Sequence, residues 1–210
     1  MKIALRILLL AAIALLAYMC INSIMSSIRF KNEREARELL IVDRLIAIRN
    51  VQNGYRNMYG IYAGSFEDLR KFLNEDRIPF LIKEGELTDD QLKAGMTDKE
   101  AVAKGLIRRD TTWILAKDTL LPVGFEVNNI GKVPGFENFS FDLDTATIPS
   151  NAGYIIPVFE AGVPYDVYLA GLNRQLLINL KDEKKKLKRY AGLRVGSISE
   201  INNNAGNWEF

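Results

Sequence analysis

The side chains that carry most enzyme and metal chemistry are scarce in this sequence. Its 210 residues include no histidine and one cysteine, Cys20. That composition excludes serine–histidine and cysteine–histidine activation of a nucleophile, and it excludes cysteine or histidine metal sites. No disulfide can form within the chain. What remains is carboxylates, amines and phenols. Asp142 and Asp144 stand two apart and would share one face of a strand, an arrangement that suits calcium binding or acid–base work. The calcium-loop pattern fails at its fifth position, Ala146, and has no glycine at its sixth, so a polar strand face accounts for both residues. The densest basic cluster runs from Lys181 to Arg189 and contains Lys184, Lys185, Lys186, Lys188 and Arg189. Close to a bilayer it would meet anionic head groups or a polyanionic envelope polymer; Asp182 and Glu183 dilute it, and a solvated turn after a strand is the plainer reading. The aromatic interleaving that grips single-stranded nucleic acid is missing, and a net charge of +2 is too even to imply such a partner. Tyr190 to Ser197 carries glycines with no helix expected after them, so it makes no phosphate loop. The residues therefore point to no catalytic, cofactor or metal site.

The element that must position everything else runs from Ile7 to Tyr62. Ile7 to Ile28 carries no charge, and Ile7, Leu10, Ile13, Leu16, Ile21 and Ile28 exemplify its apolar composition. At 1.5 Å per residue the run is roughly 33 Å long as a helix, enough to cross a hydrocarbon core. Lys2 and Arg6 precede it, as in a secretory signal. The run is longer than a cleavable signal needs, however, and lacks an A-x-A end. An uncleaved signal anchor is the first expectation and cleavage the second. Lipidation at Cys20 is the third, because Met19 occupies the place where a small residue is needed; a small apolar residue in a membrane helix is the simpler account of Cys20. Lys2 and Arg6 favour an internal N-terminus, whereas Arg29, Lys31, Arg34 and Arg37 oppose it. Long domains translocate largely regardless of charge, so the expectation is N-terminus inside and domain outside.

Nothing between Ile28 and Gly54 stops the helix, since neither proline nor glycine occurs there. Arg29 to Glu38 is mostly charged, with Glu33/Arg37 and Arg34/Glu38 spaced for i,i+4 pairing, and reads as a solvated face. Beyond it Ile41, Leu45, Ile48, Gln52, Tyr55, Tyr59 and Tyr62 alternate at spacings of four and three, with Asp43, Asn50 and Asn57 opposite. This single stripe is expected to pack on the protein's own sheet; a coiled coil with another chain is the alternative, at the minimum length for one.

The segments Ile46-Ala47-Ile48-Arg49-Asn50-Val51-Gln52-Asn53-Gly54-Tyr55 and Tyr59-Gly60-Ile61-Tyr62-Ala63-Gly64-Ser65, with Leu69, resemble the helix end and following loop of type IV pilins and type II secretion pseudopilins. Asn203-Asn204-Ala205-Gly206-Asn207-Trp208 is similar to the tail of major pseudopilins, where a nearby loop binds calcium. The resemblance implies an N-terminal helix that crosses the membrane, enters an antiparallel-sheet head and packs with its copies. The sequence departs from the family in lacking a basic leader that ends in glycine before phenylalanine, and in lacking an acidic residue near the start of the span. Asparagines and an alanine stand where calcium would want carboxylates.

In the remainder, Ser65 can cap a helix through Asn74 with Leu69, Phe72 and Leu73 as its inner face. Ile78 to Ile82, broken by Pro79, reads as an edge strand or loop. Thr88 with Gln91, and Thr97 with Glu100, open two short helices that Gly95 and Gly105 close. Trp113 to Ala116 reads as a strand, and Phe139, Phe141 and Leu143 alternate with polar residues as one strand with a wet face. Tyr154 to Phe159 reads as a central strand, and Val167 to Leu169 and Leu176 to Leu180 as further strands of an antiparallel sheet of four or five. Pro122, Gly124, Gly131, Pro134, Gly135, Pro149, Gly153 and Gly162 mark turns. The Gly60 and Gly64 pair is expected to end the helix and turn the chain.

The expected fold is α+β, with a long N-terminal transmembrane helix continuing into a soluble helix packed on an antiparallel sheet in a pilin-like head. Residues 1–28 form the anchor and 29–64 its extension and loop. Residues 65–210 form the head, mainly helical over 65–110 and mainly strands over 111–210. The expected role is a non-enzymatic structural or assembly subunit, single-pass in a bacterial inner membrane with its C-terminal domain on the periplasmic side. Its partners would be the lipid bilayer and proteins or further copies, without nucleic acid and without a cofactor. The alternative is a monomeric, membrane-tethered ligand-binding module, with Lys184 to Arg189 as an anionic contact.

Overall fold

A computed structural model describes residues 2–85, 88, 93, 95, 97–106, 108–150 and 153–209. Helix α1 (Lys2–Tyr59) is continuous over 58 residues. It ends where Gly60 adopts φ 76°, a left-handed conformation that glycine takes without steric cost, and its N–H still donates to the Arg56 carbonyl at 2.8 Å. Then follow α2 (Phe66–Glu75), β1 (Arg77–Glu84), α3 (Asp98–Ala103), β2 (Arg108–Leu115), α4 (Ala116–Leu120) and a 3-10 turn (Val127–Asn129). The rest comprises β3 (Lys132–Val133), β4 (Phe136–Ser140), β5 (Asp142–Pro149), β6 (Ile155–Pro164), α5 (Tyr165–Tyr168), α6 (Arg174–Lys186) and β7 (Gly192–Gly196). The chain divides into two compact units, Met1–Arg49 with Gly131–Phe210, and Asn50–Ile130. The fold is α+β, with a long apolar N-terminal helix and antiparallel sheets.

In the first unit the sheet order is β5-β6-β7, all antiparallel, with a separate β3–β4 pair. The register sorts the residues by face. Phe159, Ala161 and Val163 of β6, with Val195 and Leu193 of β7, are buried on one face. The other face carries Glu160 and Arg194 with Asp142 and Asp144 of β5. Buried in the same unit are Phe30, Ile41, Leu45 and Ile48 of α1, and Tyr165, Tyr168 and Leu169 at α5. Pro157 is tolerated in the central strand because β7 pairs only with Glu160 to Pro164, so no β7 residue is opposite Pro157 to need its missing N–H. Gly192 admits no substituent: a Cβ there would sit 2.2 Å from the Val163 carbonyl oxygen.

In the second unit β1 and β2 form a two-stranded ribbon. Helix α2 is capped by Ser65, whose hydroxyl accepts from the Asp68 N–H at 3.1 Å, and it buries Leu69, Phe72 and Leu73 as expected. The Thr97–Glu100 capping box that opens α3 is fully formed. Gln52, on the α1 stripe, is fully buried yet satisfied: its amide donates to the Ala63 carbonyl at 2.9 Å and accepts from the Ala63 N–H at 3.0 Å. One side chain thus imitates a strand neighbour and pins the turn after α1. Gly54 makes room for the unit's packing, since a Cβ there would lie 2.5 Å from Leu120 Cδ1.

Several sequence expectations are corrected. Val167 to Leu169 is no strand, because Tyr165–Tyr168 is helical. Leu176 to Leu180 lies within α6, whose N-cap Asn173 accepts from the N–H groups of Gln175 and Leu176. The Lys184 to Arg189 cluster accordingly forms the last turn of a helix and the residues after it, rather than a turn after a strand. Phe139 to Leu143 is split between β4 and β5 at the buried Phe141, whose N–H donates to the Gly131 carbonyl. In place of one sheet of four or five strands, the described residues form three sheets of two, two and three. The helix expected from Thr88 with Gln91 lies outside the described residues.

Candidate functional site

The candidate site is the length of α1 together with what is held against it, because α1 carries the feature most specific to this chain. Its apolar run is exposed on every side: Ile7, Leu10, Ile13, Leu16, Ile21 and Ile28 all lie in the solvent-facing class, from 66 % at Leu10 to 46 % at Ile28. A helix apolar around its circumference, with none of the described residues covering it before Asn22, is suited to lipid. Its mean hydropathy of 2.4 and its position make it one candidate membrane span.

The covered side of α1 begins earlier than the sequence stripe. Ser26 is half-buried, Phe30 buried, Arg34, Arg37 and Glu38 half-buried, and Ile41, Leu45 and Ile48 fully buried. These positions follow one another at three- and four-residue steps, so they form one face. The charged segment is therefore more than a solvated surface. Arg37 Nη1 donates to the Tyr168 carbonyl at 2.8 Å and to that of Ala170 at 3.2 Å, and its guanidinium lies 5.4 Å from the centre of the Phe136 ring. Tyr168, fully buried, donates its hydroxyl to Glu38 Oε1 at 3.2 Å. Arg34 Nε sits 3.4 Å from Glu38 Oε2 and makes no directed hydrogen bond.

Burial pushes the Glu38 carboxyl above its usual range, against the opposing pull of Arg34, the Tyr168 hydroxyl and Lys184. Burial and the Glu38 charge together drive the Tyr168 phenol far up, and Tyr165 rises for the same reasons. At the ends of the stripe, Asn173 Nδ2 donates to Ser26 Oγ at 3.1 Å, and Arg49 Nη1 pairs with Glu209 at 2.6 Å. Measured by helical rise, these attachments extend over about 35 Å of α1.

The last stripe members lie in the second unit. Tyr55 is half-buried, Tyr59 is exposed, and Tyr62 is buried but follows the helix, so it is not on the helical face. The Tyr62 hydroxyl accepts from Arg56 at 2.9 Å. Tyr59 donates to Asp76 Oδ2 at 2.5 Å, and that bond, with the nearby Asp76 charge, pushes its phenol up to about 12.

The C-terminal tail is tied to the edge of β7. Asn207 N–H donates to the Arg194 carbonyl, its amide Nδ2 to the Gly192 carbonyl, and its Oδ1 accepts from the Arg194 N–H. Asn203 and Asn204 take φ 53° and 58°, left-handed values that asparagine adopts more readily than most residues. Asn207 thus works as a hydrogen-bonding brace between the tail and β7.

On the open face of the sheet, Asp142, Asp144, Glu160 and Tyr190 line a cleft of about 350 Å³. Arg194 neutralises Glu160 at 3.0 Å, and burial with the charges of Asp142 and Glu160 raises Tyr190 to about 12. Among the described residues no three acidic, histidine or cysteine side chains gather in a way that could hold a metal ion.

Lys184 is half-buried and close enough to Glu38 to favour its carboxylate; Lys185, Lys186, Lys188 and Arg189 are exposed. Lys188, at φ 52°, closes α6 in a Schellman turn: its N–H donates to the Lys185 carbonyl and that of Arg189 to the Lys184 carbonyl. Comparison with protein-family models, curated proteins and solved structures finds no match to this chain.

Proposed function

We propose that this chain is a non-enzymatic single-pass protein of a bacterial envelope, with pilin-like architecture, that serves as a structural or assembly subunit through protein–protein contacts. The observation that carries the reading is the division of labour along α1. From Ile7 to Ile21 the helix is apolar and exposed on all sides, while from Ser26 onward it is covered along one face only. The stripe Ile41, Leu45 and Ile48 is consumed by packing within the chain, so association has to use another face. Leu39 and Leu40 offer one: among the described residues of α1 between Arg29 and Asn57, they are the exposed large apolar side chains. A second α1 laid alongside would cover them and share the bilayer with the first.

The experiment is disulfide trapping in native membranes with Leu39→Cys in a Cys20→Ser background, and Lys186→Cys as a distant comparator. Leu39→Cys should give a dimer band and Lys186→Cys none. Recovery of monomer alone from both would leave the tethered ligand-binding module as the better account. The proposed periplasmic side of the head is tested separately, by protease digestion of intact spheroplasts.

A further inference from the structure

Sequence position and geometry together fix the level on α1 reached by the turn between α5 and α6. Asn173 bonds to Ser26, two residues inside the apolar run that ends at Ile28. Between them lies a cleft of about 280 Å³, walled by Asn22, Ser26, Arg29 and Phe30 of α1 and by Leu172 and Asn173 of the turn. By helical rise, Asn22 is about 9 Å below the end of the run and Glu33, at the far rim, about 8 Å beyond it. The polar layer of one leaflet is roughly 5–7 Å thick, so the cleft straddles it.

The chemistry of the walls suits that level. Of the polar residues near the end of the apolar run, Asn22, Ser23, Ser26 and Ser27, Asn22 and Ser26 stand on the face that continues to Phe30. Arg29 has no ion-pair or hydrogen-bond partner among the described residues. The nearest acid on the rim, Glu33, is 4.0 Å from Arg37 and balanced by it. A guanidinium, two side-chain amides and a hydroxyl, gathered at this level beside apolar Leu172 and Phe30, suit the phosphodiester of a lipid headgroup. We propose that this cleft seats the headgroup of an anionic bilayer phospholipid, its phosphate held by Arg29, and that the turn from Gly171 to Asn173 thereby rests in the headgroup layer as a second membrane contact of the protein. The inference depends on the reading that Ile7 to Ile28 crosses a bilayer.

The test uses the full chain in vesicles of equal parts phosphatidylcholine and phosphatidylglycerol. Nitroxide labels are placed one at a time at Leu172→Cys and Ile13→Cys in the Cys20→Ser background, and their depth is read from collision with oxygen and with a water-soluble nickel chelate. The label at 13 should report hydrocarbon and the label at 172 the headgroup layer. If 13 is deep and 172 aqueous, the second contact is wrong and the span survives. If 13 is aqueous, the span itself is wrong. Capture of a photoreactive phosphatidylglycerol should fall about five-fold in Arg29→Gln, the contribution of one basic residue at an anionic lipid surface, and return in Arg29→Lys. Unchanged capture in Arg29→Gln overturns the assignment of the phosphate to Arg29.

Discussion

Replacing Arg37 by methionine tests how the α5 segment is held to α1. The substitution keeps much of the aliphatic stem and removes the guanidinium alone. The bond to the Tyr168 carbonyl at 2.8 Å is part-buried, and that to the Ala170 carbonyl at 3.2 Å is exposed. A charged donor to a buried acceptor is worth about 1.5–3 kcal/mol, and the exposed bond adds only about 0.5 kcal/mol because water replaces it. The cation–π contact with Phe136 adds about 0.5 kcal/mol at a partly exposed site. Side-chain entropy regained by the shorter, unpinned residue offsets about 1 kcal/mol. The net expectation is a loss of roughly 1.5–3 kcal/mol for Arg37→Met. Arg37→Lys, which can serve one carbonyl at a time, should lose about half of that. The assay is urea denaturation of the full chain in detergent, followed by tryptophan fluorescence in a Trp113→Phe background, which leaves Trp208 in the tail of the same unit as the reporter. A midpoint for Arg37→Met within about 0.5 kcal/mol of the parent, or a larger loss in Arg37→Lys than in Arg37→Met, would refute the reasoning.

Three further substitutions probe other joints. Gln52→Leu removes both bonds to Ala63 and strands its buried N–H and carbonyl; a loss of about 2–4 kcal/mol is expected, with faster hydrogen exchange at the Ala63 amide as the local readout, and unchanged exchange there would sink the clamp. Lys188→Gly relieves a left-handed conformation and should stabilise the chain by about 0.5–1 kcal/mol in thermal denaturation, whereas Lys188→Ala should not; equal effects would show that φ is not the cause. Glu38 has a folded-state pKa above its unfolded value, chiefly from burial, so its contribution to stability is complete below the unfolded pKa and declines as pH rises through the folded one. Glu38→Gln, which keeps an acceptor for Tyr168, should therefore gain stability relative to the parent as pH is raised through that window; a difference constant with pH would contradict the shift.

What was legible in the sequence shares one property: the signal was long, or it was local. The apolar run needs no tertiary context, since its length and lack of charge already mark it as a candidate membrane span. The caps at Ser65 and Thr97 are bonds between residues three apart, so their partners are adjacent in the sequence. Helix α6 was misread because Leu176 to Leu180 is a five-residue apolar window in which strand and helix periods look alike. The deciding residue, Asn173, lies just outside that window, and an asparagine before a run of strong helix formers was the available cue. Phe139 to Leu143 failed differently. Its alternation is real, but the chain changes sheet at Phe141, and period-two patterning does not register which partner a strand takes.

The covered face of α1 shows why the candidate site was only half visible. Ile41, Leu45 and Ile48 announce themselves by hydrophobicity, whereas Arg34, Arg37 and Glu38 on the same face look like water-facing charges. Their partners are two backbone carbonyls and a tyrosine hydroxyl more than a hundred residues away, groups that leave no periodic trace in the sequence. The same holds for Ser26, whose bond to Asn173 carries the contact down into the apolar run. An apolar stripe alone would place the head on the outer part of the helix; the polar contacts extend it to the level where lipid would begin. Hydrophobic burial supplies most of the attachment, and the hydrogen-bonded residues decide how far along the helix it reaches. That makes the polar half of the stripe the part on which a membrane-level function depends.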